Sequence, residues 1–145
     1  MRIARLFMAS AMAWLVATAF SVTPMAQAKM TDEDYDQLMK TVGQTAGSLR
    51  KNAEAQNADG VSADAKKMAG LFKDVGTFWT QQNNKEAADW AKSAMDHATE
   101  IDKAAAAKNI AGVGEHTKLM MGTCQTCHAK YRDRAADGTY SIKKQ

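Results

Sequence analysis

Four stretches of this 145-residue chain repeat apolar residues at steps of three and four. This periodicity restricts each stretch to a helix that buries one face. The stretches cover 31–53, 65–79, 87–101 and 110–131, and a run of alanines at 104–107 extends the third. The only proline, Pro24, precedes all four, and β-branched residues are sparse. Four amphipathic helices with short connections can hide their apolar faces only against one another, so the sequence predicts an all-α, antiparallel four-helix bundle.

Capping and turn residues separate the four segments. Thr31, followed by three acidic residues, predicts the start of the first helix, because a hydroxyl cap and negative charge both suit a helix N-terminus. The other predicted boundaries are a turn at 57–60, an N-cap at Ser62, a polar break at 81–84, an N-cap at Asn109 and a turn at Asp137-Gly138. Residues 140–142 read as a short extended tail, and no segment is long enough to predict a sheet.

Residues 1–28 have the pattern of a secretory signal peptide. Arg2 and Arg5 precede an apolar run at 6–20, and the segment closes with Ala26-Gln27-Ala28. The run is shorter than the roughly 20 residues of a spanning helix, which disfavours a membrane anchor. Cleavage would leave a domain of residues 29–145 and lower the net charge from +3 to +1, so the basic precursor gives no reason to expect nucleic-acid binding. The sequence predicts export, to the periplasm, with no transmembrane segment.

The motif Cys124-Gln125-Thr126-Cys127-His128 carries the chemistry. Cys-x-x-Cys-His is the attachment signature of c-type haem. On a helix Cys124 and His128 share a face, so two thiols can bond the macrocycle while the imidazole serves as an axial iron ligand. The alternatives are a local disulfide, a thioredoxin-like pair and a zinc site completed by His97 and His116. The first stabilises little, the second needs a βαβ unit, and the third draws on distant histidines.

The segment from Cys124 to Arg132 resembles the corresponding part of the class II cytochromes c, that is, cytochrome c′ and its low-spin relatives. The layout of four helices with the motif in the last one is similar across residues 29–145. The resemblance implies one covalently bound haem c, with thioether bonds at Cys124 and Cys127 and His128 as the proximal ligand. It also implies that Arg132, four residues later, lies near the proximal imidazole. A basic residue placed at a helix C-terminus for dipole reasons is the alternative. Class I cytochromes c carry the motif near the N-terminus and a later Met, whereas no Met follows His128 here.

The distal ligand decides the expected function. By the resemblance, its position on the first helix is Met39, beside the small residues Gly43, Ala46 and Gly47. Ligation by Met39 implies an electron carrier that cycles Fe(III)/Fe(II) and turns over no substrate, and is therefore not an enzyme. The alternative is a five-coordinate, cytochrome c′-type protein that binds small gases such as NO and CO, with Met39 as an ordinary core methionine.

Other residues give weaker hints about partners and the pocket. We expect His97 and His116 to lie at the solvent edge. Trp79 and Trp90 are expected either to line the pocket or to pack in the core. Residues 29–127 carry a net charge of −2 and residues 128–145 a net charge of +3. This asymmetry predicts an acidic redox partner at the haem-bearing end. The resemblance also allows a homodimer, and the tail at 133–145 has no role predicted by its sequence.

Overall fold

The computed structural model describes residues 29–136 and 139–143. Within these ranges the chain forms α1 (Asp32–Glu54), α2 (Ala58–Gln81), α3 (Lys85–Ala106) and α4 (Ile110–Tyr131), followed by β1 (Arg132–Arg134) and β2 (Tyr140–Ile142). The expected signal peptide at 1–28 and the expected turn at Asp137-Gly138 lie outside the described residues. The all-α four-helix bundle is confirmed.

Neighbours in sequence are neighbours in the bundle. The packing of α2 against α3 is the most extensive, α3 against α4 comes next, and α1 rests mainly on α2. Helices α1 and α4 hardly touch each other directly. The bundle therefore has one loosely closed seam, which lies between its first and last helices.

The three connections between helices repeat one geometry. Gln56, Asn83 and Lys108 each have a positive φ, between 53° and 57°, in the left-handed region. Each is followed by an asparagine that caps the next helix, Asn57, Asn84 or Asn109, with its side chain accepting an N–H three residues on. The asparagine N–H returns to a carbonyl of the previous helix, as in a Schellman motif. Such tight turns hold consecutive helices antiparallel.

The start of α2 differs from the sequence expectation. Residues 57–60 were expected to form a turn with Ser62 as the N-cap, but Asn57 is the cap and Ala58 begins the helix. Gly60 serves this cap by leaving space, because a Cβ there would lie 2.5 Å from Nδ2 of Asn57. Ser62 instead donates a hydrogen bond at 2.5 Å to Oδ1 of Asp102 on α3.

The core is built from large residues on α2 and small ones on α3. The buried alanines of α3 let α2 and α4 approach its backbone closely. The buried hydrophobic residues of the described chain are Tyr35, Val42, Leu49, Val61, Ala65, Met68, Phe72, Val75, Phe78, Trp79, Ala87, Ala91, Ala94, Ala98, Ile101, Ala105, Val113, Met120 and Tyr131. Ile110, predicted to lie on the apolar stripe of α4, is 51% exposed because it occupies the first turn, at the edge of the bundle.

A short hairpin follows α4, although the sequence predicted no sheet. Strands β1 and β2 pair antiparallel, with Arg132 opposite Ile142 and Arg134 opposite Tyr140. The backbone N–H of Lys143 donates to the carbonyl of Tyr131, and Ile142 packs against the core. The extended tail predicted at 140–142 is thus present, and its pairing returns it towards α1. No helix within the described ranges is both long enough and apolar enough to span a membrane.

Candidate functional site: an apolar pocket between the first and last helices

The last two turns of α4 carry the Cys-x-x-Cys-His motif into the bundle. Cys124, Cys127 and His128 are each half-buried. Both cysteines are free thiols, and both pack against the hydrophobic core. Because positions 124 and 128 are one turn apart, the imidazole stands on the same face as the first thiol. The helix thus presents all three groups to one space.

That space is an apolar pocket at the loosely closed seam. Met39 and Val42 of α1 form one wall, and the three motif residues stand on the wall formed by α4. The remaining lining residues are Tyr35, Phe72, Val75, Ala87, Trp90, Ala91, Ala94 and Thr123. The pocket holds about 40 Å³, room for no more than a few water molecules. The groups in this pocket, two thiols and an imidazole facing a thioether, therefore suit a flat macrocycle. The pocket is smaller than a macrocycle, so binding one requires α1 and α4 to move apart.

The end of α1 at the pocket is tied down by one buried polar contact. Nε1 of Trp79 donates a hydrogen bond at 3.0 Å to the hydroxyl of Tyr35. The ring of Tyr35 stacks on Phe78 with centroids 4.1 Å apart. Since α1 makes little direct contact with α4, this contact fixes how the Met39 wall faces the motif. Trp79 therefore supports the pocket from behind, whereas Trp90 lines it directly.

Tyr131 locks the C-terminal end of α4 to the start of α3. Its ring is buried beside Trp79 and Trp90, with centroids 4.9 and 5.8 Å away. Its hydroxyl donates at 2.7 Å to Oε2 of Glu86, which also pairs with Lys130. These contacts lower the pKa of Glu86, chiefly through the bond from Lys130. The motif is thus anchored within one turn of His128.

Burial keeps both thiols protonated. It raises the pKa of Cys127 to about 11, with smaller contributions from Cys124 and Glu86. Burial likewise raises the pKa of Cys124. The phenol of Tyr35 has its pKa raised by burial first and by the nearby Cys127 second. Thiols held in this form make poor exchangers of disulfides, because the thiolate is the nucleophile. This disfavours the thioredoxin-like alternative.

The imidazole of His128 is held neutral. Burial lowers its pKa, and the positive charge of Arg132 lowers it further. A neutral imidazole keeps a nitrogen lone pair free to bind a metal. The lowered pKa therefore favours the form of the side chain that the motif needs as an axial ligand.

Arg132 lies near His128, but for a different reason from the one expected. The sequence placed it on the helix face of His128, whereas it is the C-cap, with extended backbone, and the first residue of β1. Its guanidinium lies over the ring of Tyr140 on β2, 4.4 Å from the centroid, a cation–π geometry. The hairpin thus gives the described part of the tail, residues 133–136 and 139–143, a structural role, which is to hold Arg132 beside the motif.

The small residues Gly43, Ala46 and Gly47, which the sequence places on the side of Met39, do not line the pocket. Gly43 is exposed, and a Cβ at Gly43 or Gly47 would meet nothing within 4 Å. Val42, one position earlier, supplies the α1 wall together with Met39. The reason is helical phase, because the buried residues of α1 are Tyr35, Val42, Thr45 and Leu49, and Gly43 lies beside that stripe.

His97 and His116, which were expected at the solvent edge, are partly exposed and form a pair between α3 and α4. Their Nδ1 atoms lie 3.4 Å apart. Neither lines the pocket with the cysteines, so the structure does not assemble the alternative zinc site of Cys124, Cys127 and both histidines. Within residues 29–136 and 139–143, no group of three or more His, Cys, Asp or Glu side chains surrounds a metal position.

Several pocket residues were not foreseen from the sequence. Tyr35, Phe72, Val75 and Thr123 line the pocket, and Glu86 anchors α4 through Tyr131. The helical stripe of the second segment marked Phe72 and Val75 as core, but no local signal tells a wall of a pocket from the rest of a core. Trp90, which the sequence left open between pocket wall and core, is a wall.

The chain was compared with known protein families, curated proteins and solved structures. No family model, no curated protein and no solved structure matches this chain.

Proposed function

We propose that the chain is an exported, periplasmic monohaem c-type cytochrome of the class II kind, and that it carries single electrons. One observation supports this most strongly. The two free thiols and the neutral imidazole of Cys-x-x-Cys-His line one apolar pocket, and the thioether of Met39 lines its opposite wall. That set of donors is the set that a His/Met-ligated haem c uses.

Each residue has a definite task in this proposal. Cys124 and Cys127 form the two thioether bonds, His128 gives the proximal nitrogen, and Met39 gives the distal sulfur. Haem, when bound, supplies the one-electron Fe(III)/Fe(II) couple. Arg132 places a positive charge near the proximal imidazole, which disfavours a second positive charge there. The apolar walls exclude water from the site.

The weak packing between α1 and α4 supports the proposal, because it allows the pocket to widen. A pocket of about 40 Å³ must widen to take a macrocycle, and α1 is the helix with the least packing to lose. The buried hydrogen bond of Tyr35 on α1 goes to α2 and that of Tyr131 on α4 goes to α3, so parting α1 from α4 leaves both bonds intact. The Tyr35–Trp79 contact can keep the end of α1 near Met39 attached to α2 during this movement.

The deciding experiment is the visible absorption spectrum of the purified protein when oxidised, reduced, and reduced under carbon monoxide. A covalently bound haem with a sharp reduced spectrum unaffected by carbon monoxide indicates six-coordinate iron and supports the electron carrier. A reduced spectrum that shifts strongly with carbon monoxide indicates an open iron site and the alternative gas-binding function. Absence of haem from protein made with a haem-attachment system refutes both.

A variant pair tests Met39 as the ligand. Met39→Leu should abolish the six-coordinate spectrum and let carbon monoxide bind. Met95→Leu is the control, because Met95 is also half-buried and packs on the core but does not line the pocket. A wild-type spectrum in Met39→Leu would remove the distal ligand from the proposal while leaving the haem attachment intact.

The basic end of the molecule supports docking of an acidic redox partner. Arg132, Arg134 and Lys143 are exposed around the end of α4 and the hairpin. Long-range attraction of this kind weakens as salt shortens the Debye length, which is about 10 Å at 0.1 M. Electron exchange with an anionic oxidant such as ferricyanide should therefore slow as ionic strength rises. Arg134→Gln should slow it more than Lys51→Gln, near the far end of α1, and a salt-independent rate would refute the docking surface.

A further inference from the structure

A second cavity lies between α1 and α4, at the end of the bundle opposite the Cys-x-x-Cys-His pocket. Leu49 and Ala53 line it from the last two turns of α1, and Val113 and Thr117 line it from the first two turns of α4. Leu49 follows Val42, which lines the first pocket, by seven residues, which is about 10 Å along the helix axis. The two spaces are therefore separate, and the second has no part in the proposed electron transfer.

The second cavity has the size and the walls of a site for a small apolar molecule. Its volume is about 200 Å³, whereas the first pocket holds about 40 Å³. An apolar protein cavity of about 150 Å³ is large enough to stay dry and to take up benzene. The walls are mainly aliphatic, and one of them, Ile110, is 51% exposed. A molecule bound there would therefore cover apolar surface that the fold leaves in contact with water.

One polar group of the lining has no partner. The hydroxyl oxygen of Thr117 is the one buried side-chain nitrogen or oxygen in the described residues that makes no hydrogen bond. Every other threonine within α1–α4 donates its hydroxyl to the carbonyl four residues earlier, as Thr99 does to Met95 at 3.0 Å. A buried hydroxyl without a partner is costly, so a molecule in the cavity that reaches Thr117 gains a hydrogen bond.

The charged residues of the lining favour an uncharged occupant. They are Arg50 and Glu54, which are both exposed and pair with each other at 3.8 Å. An exposed pair of this kind is weak, so it can move aside for an entering molecule. A charged molecule would lose its hydration against the apolar walls, and no buried counter-charge in the lining would replace it.

We propose that the second cavity binds a small uncharged molecule with an apolar body of benzene size and a single hydroxyl or carbonyl group. The apolar body fills the space between α1 and α4, and the polar group forms a hydrogen bond with the hydroxyl of Thr117. Phenols and small aromatic ketones are the ligand class that this lining suits. The site does not rest on the proposed electron-transfer function, because it shares no residue with the first pocket.

Isothermal titration calorimetry of the full purified protein with phenol tests the site. One phenol should bind saturably, with a Kd of about 1 mM or tighter. Thr117→Val should weaken phenol binding several-fold and leave benzene binding unchanged, because valine keeps the size of the side chain and removes its hydroxyl. Thr99→Val, which removes an exposed hydroxyl outside the cavity, should change neither. Unchanged phenol binding in Thr117→Val would overturn the assigned hydrogen bond.

Two variants that block the cavity test its location. Gly114 lines the cavity, and a Cβ there would meet nothing within 4 Å, so Gly114→Leu places a side chain in its opening. Ala53→Leu fills it from α1, and each change should abolish phenol binding. Gly43→Leu is the matched control and should retain binding, because its Cβ also meets nothing within 4 Å but Gly43 lines neither pocket.

The two blocking variants lie on different helices, so if one fails to unfold cooperatively in urea the other decides. Absence of saturable phenol binding to the wild-type protein, or binding kept in the folded blocking variants, would overturn the site. Benzoate has the same ring and a negative charge, and it should bind more weakly than phenol. Tighter binding of benzoate would overturn the uncharged ligand class.

Discussion

The buried hydrogen bond between Tyr35 and Trp79 offers the sharpest test of how α1 is held at the pocket. Tyr35→Phe removes the hydroxyl that accepts from Nε1 of Trp79 at 3.0 Å, and both rings are buried. A typical hydrogen bond contributes about 1 kcal/mol, and a buried donor left without a partner costs about 1–3 kcal/mol. We therefore expect the free energy of unfolding to fall by about 1.5–2.5 kcal/mol.

The assay is urea unfolding of the purified protein followed by far-UV circular dichroism. Trp79→Phe and the double variant complete a thermodynamic cycle, and the coupling between the two sites should be about 1–2 kcal/mol. Tyr140→Phe is the matched control. Tyr140 is 47% exposed and its ring, which Phe keeps, contacts Arg132, so its change should stay within about 0.5 kcal/mol. A loss below about 0.5 kcal/mol in Tyr35→Phe, with no coupling, would refute this account of α1.

Two further changes test the anchor of α4 and the helix connections. The pKa of Glu86 is lowered in the folded protein, so its contribution to stability is present above the unfolded value of 4.5 and is lost as the pH falls through the lowered one. Glu86→Gln should therefore reduce stability at neutral pH and flatten the acid arm of the stability–pH curve. It should cost more stability than Glu33→Gln, which removes only a carboxylate at the positive end of α1. An unchanged acid arm in urea titrations would contradict the Glu86 anchor. Lys108→Gly should stabilise the fold by about 0.5 kcal/mol, because relief of a left-handed φ, about 1–2 kcal/mol, exceeds the added chain entropy of about 0.5–1 kcal/mol. A destabilised Lys108→Gly variant would show that the lysine side chain contributes more than its backbone strain costs.

Helix α4 contributes side chains both to the pocket and to the histidine pair. Its C-terminal half carries the thiols and the imidazole towards α1, and its middle carries His116 towards α3. Tyr131 and the hairpin fix the end of the helix against α3 and beside Arg132. The helix is thus held firmly on the α3 side and lightly on the α1 side. This asymmetry is what the proposed entry of haem between α1 and α4 requires.

Apolar periodicity alone was enough to predict the four helices and their antiparallel packing. Thr31 and Asn109 were recognised as caps because a side-chain acceptor before an apolar stripe has a local cause. The predicted start of α2 was wrong, because Asn57 and Gly60 are as typical of a β-turn as of the capped first turn of a helix. The hairpin was missed because three-residue strands carry no period, and their pairing joins residues distant in sequence.

Spacing within one helix likewise determined the motif, since Cys124, Cys127 and His128 share a face wherever that helix lies. The facing of Met39 and the motif across a pocket was expected only by resemblance, and tertiary packing produces it. Tertiary structure likewise decides that His97 contacts His116 and that Arg132 lies near His128. Local sequence sets the phase of each helix, whereas the distance between side chains on different helices depends on how every helix packs against the others.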